Sequence, residues 1–338
     1  MKRFLTVLAL FLLTTASSYA DTPRTLTRGV NLPQATFGGG KIPGIPNKDY
    51  MWPAPSDVAL YGAIGSNLLR VGFLWERMQP QLNGDLQPQE LAHLDALVDA
   101  AATQNITILI DVHNYGVYGG NVIGSDQVPT SAFADLWTRL AEHYKDKPNV
   151  AFGLMNEPNK HGAEEWTVIA QAAIDAIRKT GAQQAIFVPG SGWSGAHSWM
   201  DKNGKLSNAE AFTALHDPVQ NIVFEAHQYF DADSSGTHPT CVSEDAGVQG
   251  LQAFTAWLRQ HHFRGFLGEF GASKDPVCLA ALKKTLDYMN ANNDVWFGWS
   301  YWAAAAWFGD YMFNVYPPDP AKFPQVNILK NAMMGADK

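Results

Sequence analysis

The chain has 338 residues, 12% of them aromatic with eleven Trp but only 17% charged, and a formal net charge of −8. No basic run or arm is present, which argues against a nucleic-acid partner. The longest apolar stretch, residues 4–13, is far shorter than the roughly 20 residues a membrane-spanning helix needs.

That stretch follows Met1-Lys2-Arg3 and leads into Ser18-Tyr19-Ala20. A positive start, an apolar run and a small-residue end describe a secretory signal. Cleavage is expected after Ala20, leaving residues 21–338 and, with Lys2 and Arg3 gone, a formal charge of −10. A moderately acidic protein exported to a periplasm or to the medium suits an uncharged substrate.

Beyond the signal, strand-like and helical stretches alternate. Short apolar runs at 29–32, 68–73, 106–112, 150–155, 185–188, 222–226, 265–268 and 295–301 read as strands. Helical stretches lie between them at 59–64, 88–103, 131–144, 163–180, 206–215, 248–261 and 276–291, and a last one at 325–333 closes the chain. Leu91, Leu94, Leu97 and Val98 show the three-and-four spacing of an amphipathic helix, and Pro88 and Pro276 suit first-turn positions. No linker, repeat or low-complexity tract interrupts the pattern, so residues 21–338 are expected to form one domain.

Eight mostly apolar strands separated by helices imply a parallel sheet covered on both faces. Eight such units close most simply as a (β/α)8 barrel, the TIM-barrel fold, whose site lies at the strand C-terminal ends. An open doubly wound sheet would carry a glycine-rich phosphate loop after its first strand, and Gly38-Gly39-Gly40 lacks that spacing.

The strand ends collect polar and aromatic side chains. Arg70 lies in the second strand; His113 and Asn114 follow the third; Asn156 and Glu157 the fourth; His227 and Tyr229 the sixth; Glu269 the seventh; Trp302 the eighth. Two carboxylates facing one cleft can split an acetal, one as acid and one as nucleophile. Each residue also has a plainer use. Arg70 can serve a structural ion pair, Asn156 a turn, and Trp302 the core. His113 and His227 can be core imidazoles or, with Asp111, metal ligands, although no His-x-His pair supports a metal. Rings in Gly- or Pro-flanked segments, such as Tyr115, Trp193 and Trp307, suit stacking on the flat faces of sugars. Cys241 and Cys278, an even count in an exported chain, suggest a bridge rather than a metal site.

The segments Arg70-Val71, Asp111-Val112-His113-Asn114, Asn156-Glu157-Pro158, His227-Gln228-Tyr229 and Gly268-Glu269-Phe270-Gly271, in this order, resemble glycoside hydrolase family 5. The resemblance runs from about residue 28 to 312 and is nearest the fungal-type endo-β-1,4-glucanase branch, which 189–199, 302–311 and the placement of Cys241 and Cys278 also resemble. It implies a retaining cellulase acting on β-1,4-glucan, with Glu269 as nucleophile and Glu157 as acid/base. It further implies that Arg70 and Tyr229 support Glu269, that Asn156 and His113 contact the sugar, and that His227 orients the acid/base. Asn114 and Trp193 belong to the same binding set, with Trp302 as the floor. Ser191 and Ala305-Ala306 depart from the pattern and bear on fine specificity. No cofactor or metal is implied, and a monomer is expected. A mannanase, a xyloglucanase or a non-catalytic sugar-binding barrel stays open beside this reading.

Overall fold

In the computed structural model, which describes residues 26–335, eight parallel strands close on themselves. They are β1 (Thr27–Ala35), β2 (Leu68–Phe73), β3 (Thr107–Val112), β4 (Val150–Gly153), β5 (Ile186–Pro189), β6 (Ile222–His227), β7 (Gly265–Glu269) and β8 (Trp296–Tyr301). Each pairs with the next in chain order, and β8 returns to β1. Parallel neighbours need a long crossover, and helices supply it: α1 (Pro55–Gly62), α2 (Pro88–Ala102), α3 (Thr130–Tyr144), α4 (Ala163–Lys179), α5 (Asn208–Ala211), α6 (Ala246–His261) and α7 (Pro276–Ala291). A final helix, α8 (Gln325–Met334), follows β8. The expected secretory signal lies outside the described residues.

The expected barrel is therefore present, with three local differences. Helix α1 starts at Pro55, where the fixed proline φ suits the first helical position. The stretch expected as a helix over 206–215 is instead the short α5 followed by a 3-10 turn, Phe212–Ala214. Ser207 accepts a hydrogen bond from the Glu210 N–H at 3.1 Å and so starts that helix late. Strand β4 stops at Gly153, so Glu157 lies in the loop beyond it rather than closing the strand.

Strand alternation divides the barrel interior into layers. Leu68, Leu109, Ala151, Phe187, Val223 and Phe266 form an apolar plug at the N-terminal end. Two residues on along β2, β3 and β6, the same faces carry Arg70, Asp111 and Glu225, all about fully buried. Outside the barrel, the apolar stripes of the helices cover the strands: Leu94, Leu97 and Val98 of α2 are buried, and Leu91 is half-buried.

Cys241, in the loop after β6, is bonded to Cys278 in the first turn of α7, closing a separation of 37 residues. Loop-closure entropy of this length is worth about 3–4 kcal/mol. The double variant Cys241→Ser/Cys278→Ser is expected to lose roughly that much stability in guanidinium unfolding, with native protein showing no titratable thiol.

Candidate active site

Arg70 organises the charged layer. Its Nη2 lies 2.9 Å from Glu225 and 3.2 Å from Asp111, and its Nη1 lies 3.1 Å from Glu269. Two amides complete the ring: Asn31 Oδ1 accepts from Nη1 at 2.9 Å and Asn156 Oδ1 from Nη2 at 2.8 Å. Asn31 is itself tied to β7 and β8 by donating to the Gly268 carbonyl at 2.9 Å and the Ser300 carbonyl at 3.1 Å. A buried charge is tolerated only when it is paired and hydrogen-bonded, and this guanidinium meets that condition on every side but Nε. Burial pulls the Arg70 pKa down, but Asp111, Glu225 and Glu269 outweigh it and hold the group charged. Burial likewise pushes Asp111 up, while Arg70 and His113 bring it net below the usual carboxylate range.

Glu269 reaches this cluster through a register shift. Ala226 pairs with Leu267, but His227 pairs with Glu269, so Gly268 is the extra residue of a bulge on β7. Strict alternation would turn Glu269 away from the face that Gly268 occupies; the bulge returns it to the barrel mouth. Position 268 has to be glycine: a Cβ there would fall 2.3 Å from Glu225 Oε1. The Tyr229 hydroxyl donates to Glu269 Oε2 at 2.8 Å. Burial pushes the Glu269 carboxyl above its usual value; His227 and Arg70 oppose that, and the like charge of Glu157 adds to it.

Glu157 arrives from the other side. The chain after β4 stays attached to its neighbours, Leu154 N–H donating to the Phe187 carbonyl at 3.0 Å and Asn156 N–H to the Val112 carbonyl at 2.7 Å. Glu157 then takes a left-handed backbone (φ 44°) ahead of Pro158, a strained conformation of the kind that collects at functional sites. Its side chain faces His227, with Nδ1 to Oε1 at 2.7 Å, and the same nitrogen is 3.7 Å from Glu269 Oε2. Oxygen atoms of Glu157 and Glu269 and this ring nitrogen all lie within 4.8 Å of one another. His227 Nε2 meets Glu225 Oε1 at 3.1 Å. Burial pulls the imidazole down, but Glu269, Glu157 and Glu225 together raise it to about 10. Holding a divalent ion between these three groups would require that proton to leave.

The rim is aromatic and partly open. His113 stacks on Trp302 (centroids 5.7 Å apart, planes at 16°), with Nδ1 on Asp111 at 2.7 Å and Nε2 on the Tyr115 hydroxyl at 3.3 Å. Trp302 sits half-buried beyond β8, its backbone N–H donating to the Phe270 carbonyl at 2.8 Å. Trp193, beyond β5, exposes 57% of its surface. Asn156 Nδ2 is buried without a hydrogen-bond partner, an unused donor beside the charged cluster.

Asn114, expected in the binding set, and Ser191, noted as a departure from the family pattern, have side chains engaged elsewhere. Asn114 Oδ1 accepts from the Trp75 N–H and its Nδ2 donates to Glu76, both at 2.7 Å, so its amide fastens the loop after β2. Ser191 is buried, with its hydroxyl on Asn208 Oδ1 at 3.0 Å and accepting from Asn203 Nδ2 at 2.9 Å. The residues missed by sequence reasoning are Asn31 and Glu225, together with Asp111 in its role toward Arg70 and the contact of the Tyr115 hydroxyl with His113. Glu225 and Asp111 had a usable signal: like Arg70, each is a lone charge in an apolar strand and so requires an opposite partner.

The sequence matches the family described as cellulase (glycosyl hydrolase family 5) over residues 33–305. The chain belongs to this family. Endo-beta-1,4-glucanase B of Aspergillus niger is 41% identical over 292 residues, covering 86% of this chain and 85% of that protein. Among solved structures, the endo-beta-1,4-glucanase Xac0029 from Xanthomonas axonopodis pv. citri superposes with a TM-score of 0.90 at 45% identity, covering 93% of this chain and all of that one (100%). A structure of XacCel5A in complex with cellopentaose gives a TM-score of 0.89 at 48% identity, covering 91% of this chain and 99% of that one.

Removing Arg70 from this family 5 barrel strands three acidic groups in the interior. Arg70→Met is expected to lower unfolding free energy by about 3–5 kcal/mol, whereas Trp193→Ala is expected to stay within about 0.5 kcal/mol of wild type; urea titrations compare them. A pH effect follows from His227. Because its pKa is raised from 6.5 to about 10, protonated His227 contributes stability in full below pH 6.5 that is lost as pH rises through about 10. Wild-type protein is therefore expected to lose stability relative to His227→Gln across that window.

Proposed function

We propose that this chain is a retaining endo-β-1,4-glucanase that hydrolyses internal β-1,4-glucosidic bonds by double displacement. The observation that carries the proposal is the pair of carboxyl groups at the barrel mouth, with oxygen atoms of Glu157 and Glu269 within 4.8 Å. Oxygens that near one another fit the close carboxyl pair of retaining enzymes, roughly 5–5.5 Å apart, better than the pair of inverting ones, about 6.5–9.5 Å apart with room for a water between. The naming of its relatives as endo-beta-1,4-glucanases and the cellopentaose complex of a similar structure support the same substrate class.

Glu269 attacks the anomeric carbon while Glu157 gives its proton to the departing glycosidic oxygen; the C–O bond to the leaving sugar breaks as the ester forms. Glu157, now a carboxylate, takes a proton from water, which adds to the anomeric carbon and releases Glu269. Tyr229 and Arg70 donate to the Glu269 oxygens and orient the carboxyl group for attack, and the Arg70 charge works against the burial that raises it. The unpartnered Asn156 Nδ2 donates to the sugar 2-hydroxyl, and the His113–Trp302 stack supplies the flat wall beneath the ring. Trp193 extends the cleft. The protein acts outside the cytoplasm, as the N-terminal signal implies, and as a monomer.

Purified enzyme is expected to release reducing sugar fastest from carboxymethyl cellulose when compared with mannan and xyloglucan; a larger rate on either of the others replaces the glucanase reading. Glu269→Gln and Glu157→Gln are each expected to lose roughly a thousandfold or more in kcat at nearly unchanged Tm. With an aryl cellobioside bearing a good leaving group, azide is expected to rescue Glu157→Ala as a β-glycosyl azide. An α-azide product would mean inversion and sink the double displacement.

A further inference from the structure

Glu225 is a buried carboxyl group, about 1% exposed, that the chemistry above does not use. It lies one layer beneath the barrel mouth, shut off by Gly268, whose missing side chain leaves the room it fills. It has two partners, Arg70 Nη2 at 2.9 Å and His227 Nε2 at 3.1 Å. The other ring nitrogen of His227 meets Glu157 Oε1 at 2.7 Å. An imidazole with a carboxyl oxygen on each nitrogen is at its best as the imidazolium, in which both nitrogens donate; neutral, one of them turns a lone pair to an oxygen. We propose that Glu225 is a positioning residue of the reaction. By accepting the Nε2–H it keeps His227 doubly protonated and turns the Nδ1–H onto Glu157.

The consequence falls on Glu157. When Glu157 gives its proton to the leaving sugar, the negative charge that develops on it meets an N–H already aimed at its Oε1 and carrying a full positive charge, a preorganised donor of the kind that stabilises developing charge. His227 keeps its own proton throughout and only strengthens a hydrogen bond. Beside these, Glu269 from β7 lies 3.7 Å from Nδ1, Arg70 from β2 and the Tyr229 hydroxyl stand behind it as donors to Glu269, and Asp111 from β3 acts on the ring electrostatically. Arg70 opposes the imidazolium, so the acidic groups have to outweigh both it and burial. Of these, Glu225 alone touches Nε2 among the described residues. The raised His227 pKa agrees with that balance. The inference deepens the proposed function and rests on it for the role of Glu157.

Nitrogen-15 NMR of protein labelled at histidine, with His227→Gln to assign the signal, reads the ring directly. In wild-type enzyme His227 is expected to show two protonated ring nitrogens through pH 8. In Glu225→Gln, isosteric and folded by circular dichroism, it is expected to turn neutral by pH 8, with kcat on an aryl cellobioside down about tenfold or more and KM little changed. A Glu225→Gln ring that stays doubly protonated at pH 8, or a wild-type kcat, overturns the proposal. A wild-type ring that is neutral at pH 7 overturns it without any variant, which covers the case in which Glu225→Gln fails to fold. Inactivity of wild-type enzyme on carboxymethyl cellulose would instead sink the functional reading and leave the ring measurement standing.

Discussion

The buried guanidinium of Arg70 is the constraint on which the site depends. A permanent positive charge inside a closed barrel has to be surrounded by acceptors, and here the acceptors come from five strands or strand ends: Asn31, Asp111, Asn156, Glu225 and Glu269. Each of these residues is thereby held in place by a partner that has no other acceptable conformation. The orientation of the Glu269 carboxyl and that of the Asn156 amide are two outcomes of one buried ion-pair network.

The network also sorts two otherwise similar glutamates. Glu269 is enclosed, gripped by Tyr229 and Arg70, and aimed by the bulge at Gly268. Glu157 is more open, with 15% of its side chain exposed, and touches His227 rather than Arg70. A rigid, charge-stabilised carboxylate suits bond formation at carbon, and a more accessible one beside an imidazole suits proton traffic with the leaving group and water. Burial and partners, not residue type, divide the two proposed roles.

Around this charged layer the barrel supplies insulation. The apolar plug of Leu68, Leu109 and Phe187 with its neighbours packs beneath the charges at the N-terminal end. At the mouth itself the surfaces become aromatic, with Trp302 on His113 and an open Trp193. A low local dielectric below and flat rings above are the two conditions that strengthen the electrostatics and hold a sugar against them.

The amino-acid sequence by itself determined the alternation of eight strands with helices, and hence the barrel and the end of it that works, because hydrophobic periodicity is a local property. It also exposed most of the site, since a polar side chain at the end of an apolar strand is conspicuous in one dimension: Arg70, His113, Glu157, His227, Tyr229, Glu269 and Trp302 could all be picked out that way. What it did not carry was partnership and aim. Glu225 and Asp111 become intelligible only when register sets them beside Arg70, across separations of 155 and 41 residues along the chain. Asn114 and Ser191 look equally available in the sequence, yet their side chains are used up by neighbours. Glu269 points inward only because β7 slips by one residue against β6. Pairing, register and burial depend on which strands the closed sheet makes adjacent, and that is a property of the whole barrel rather than of any segment.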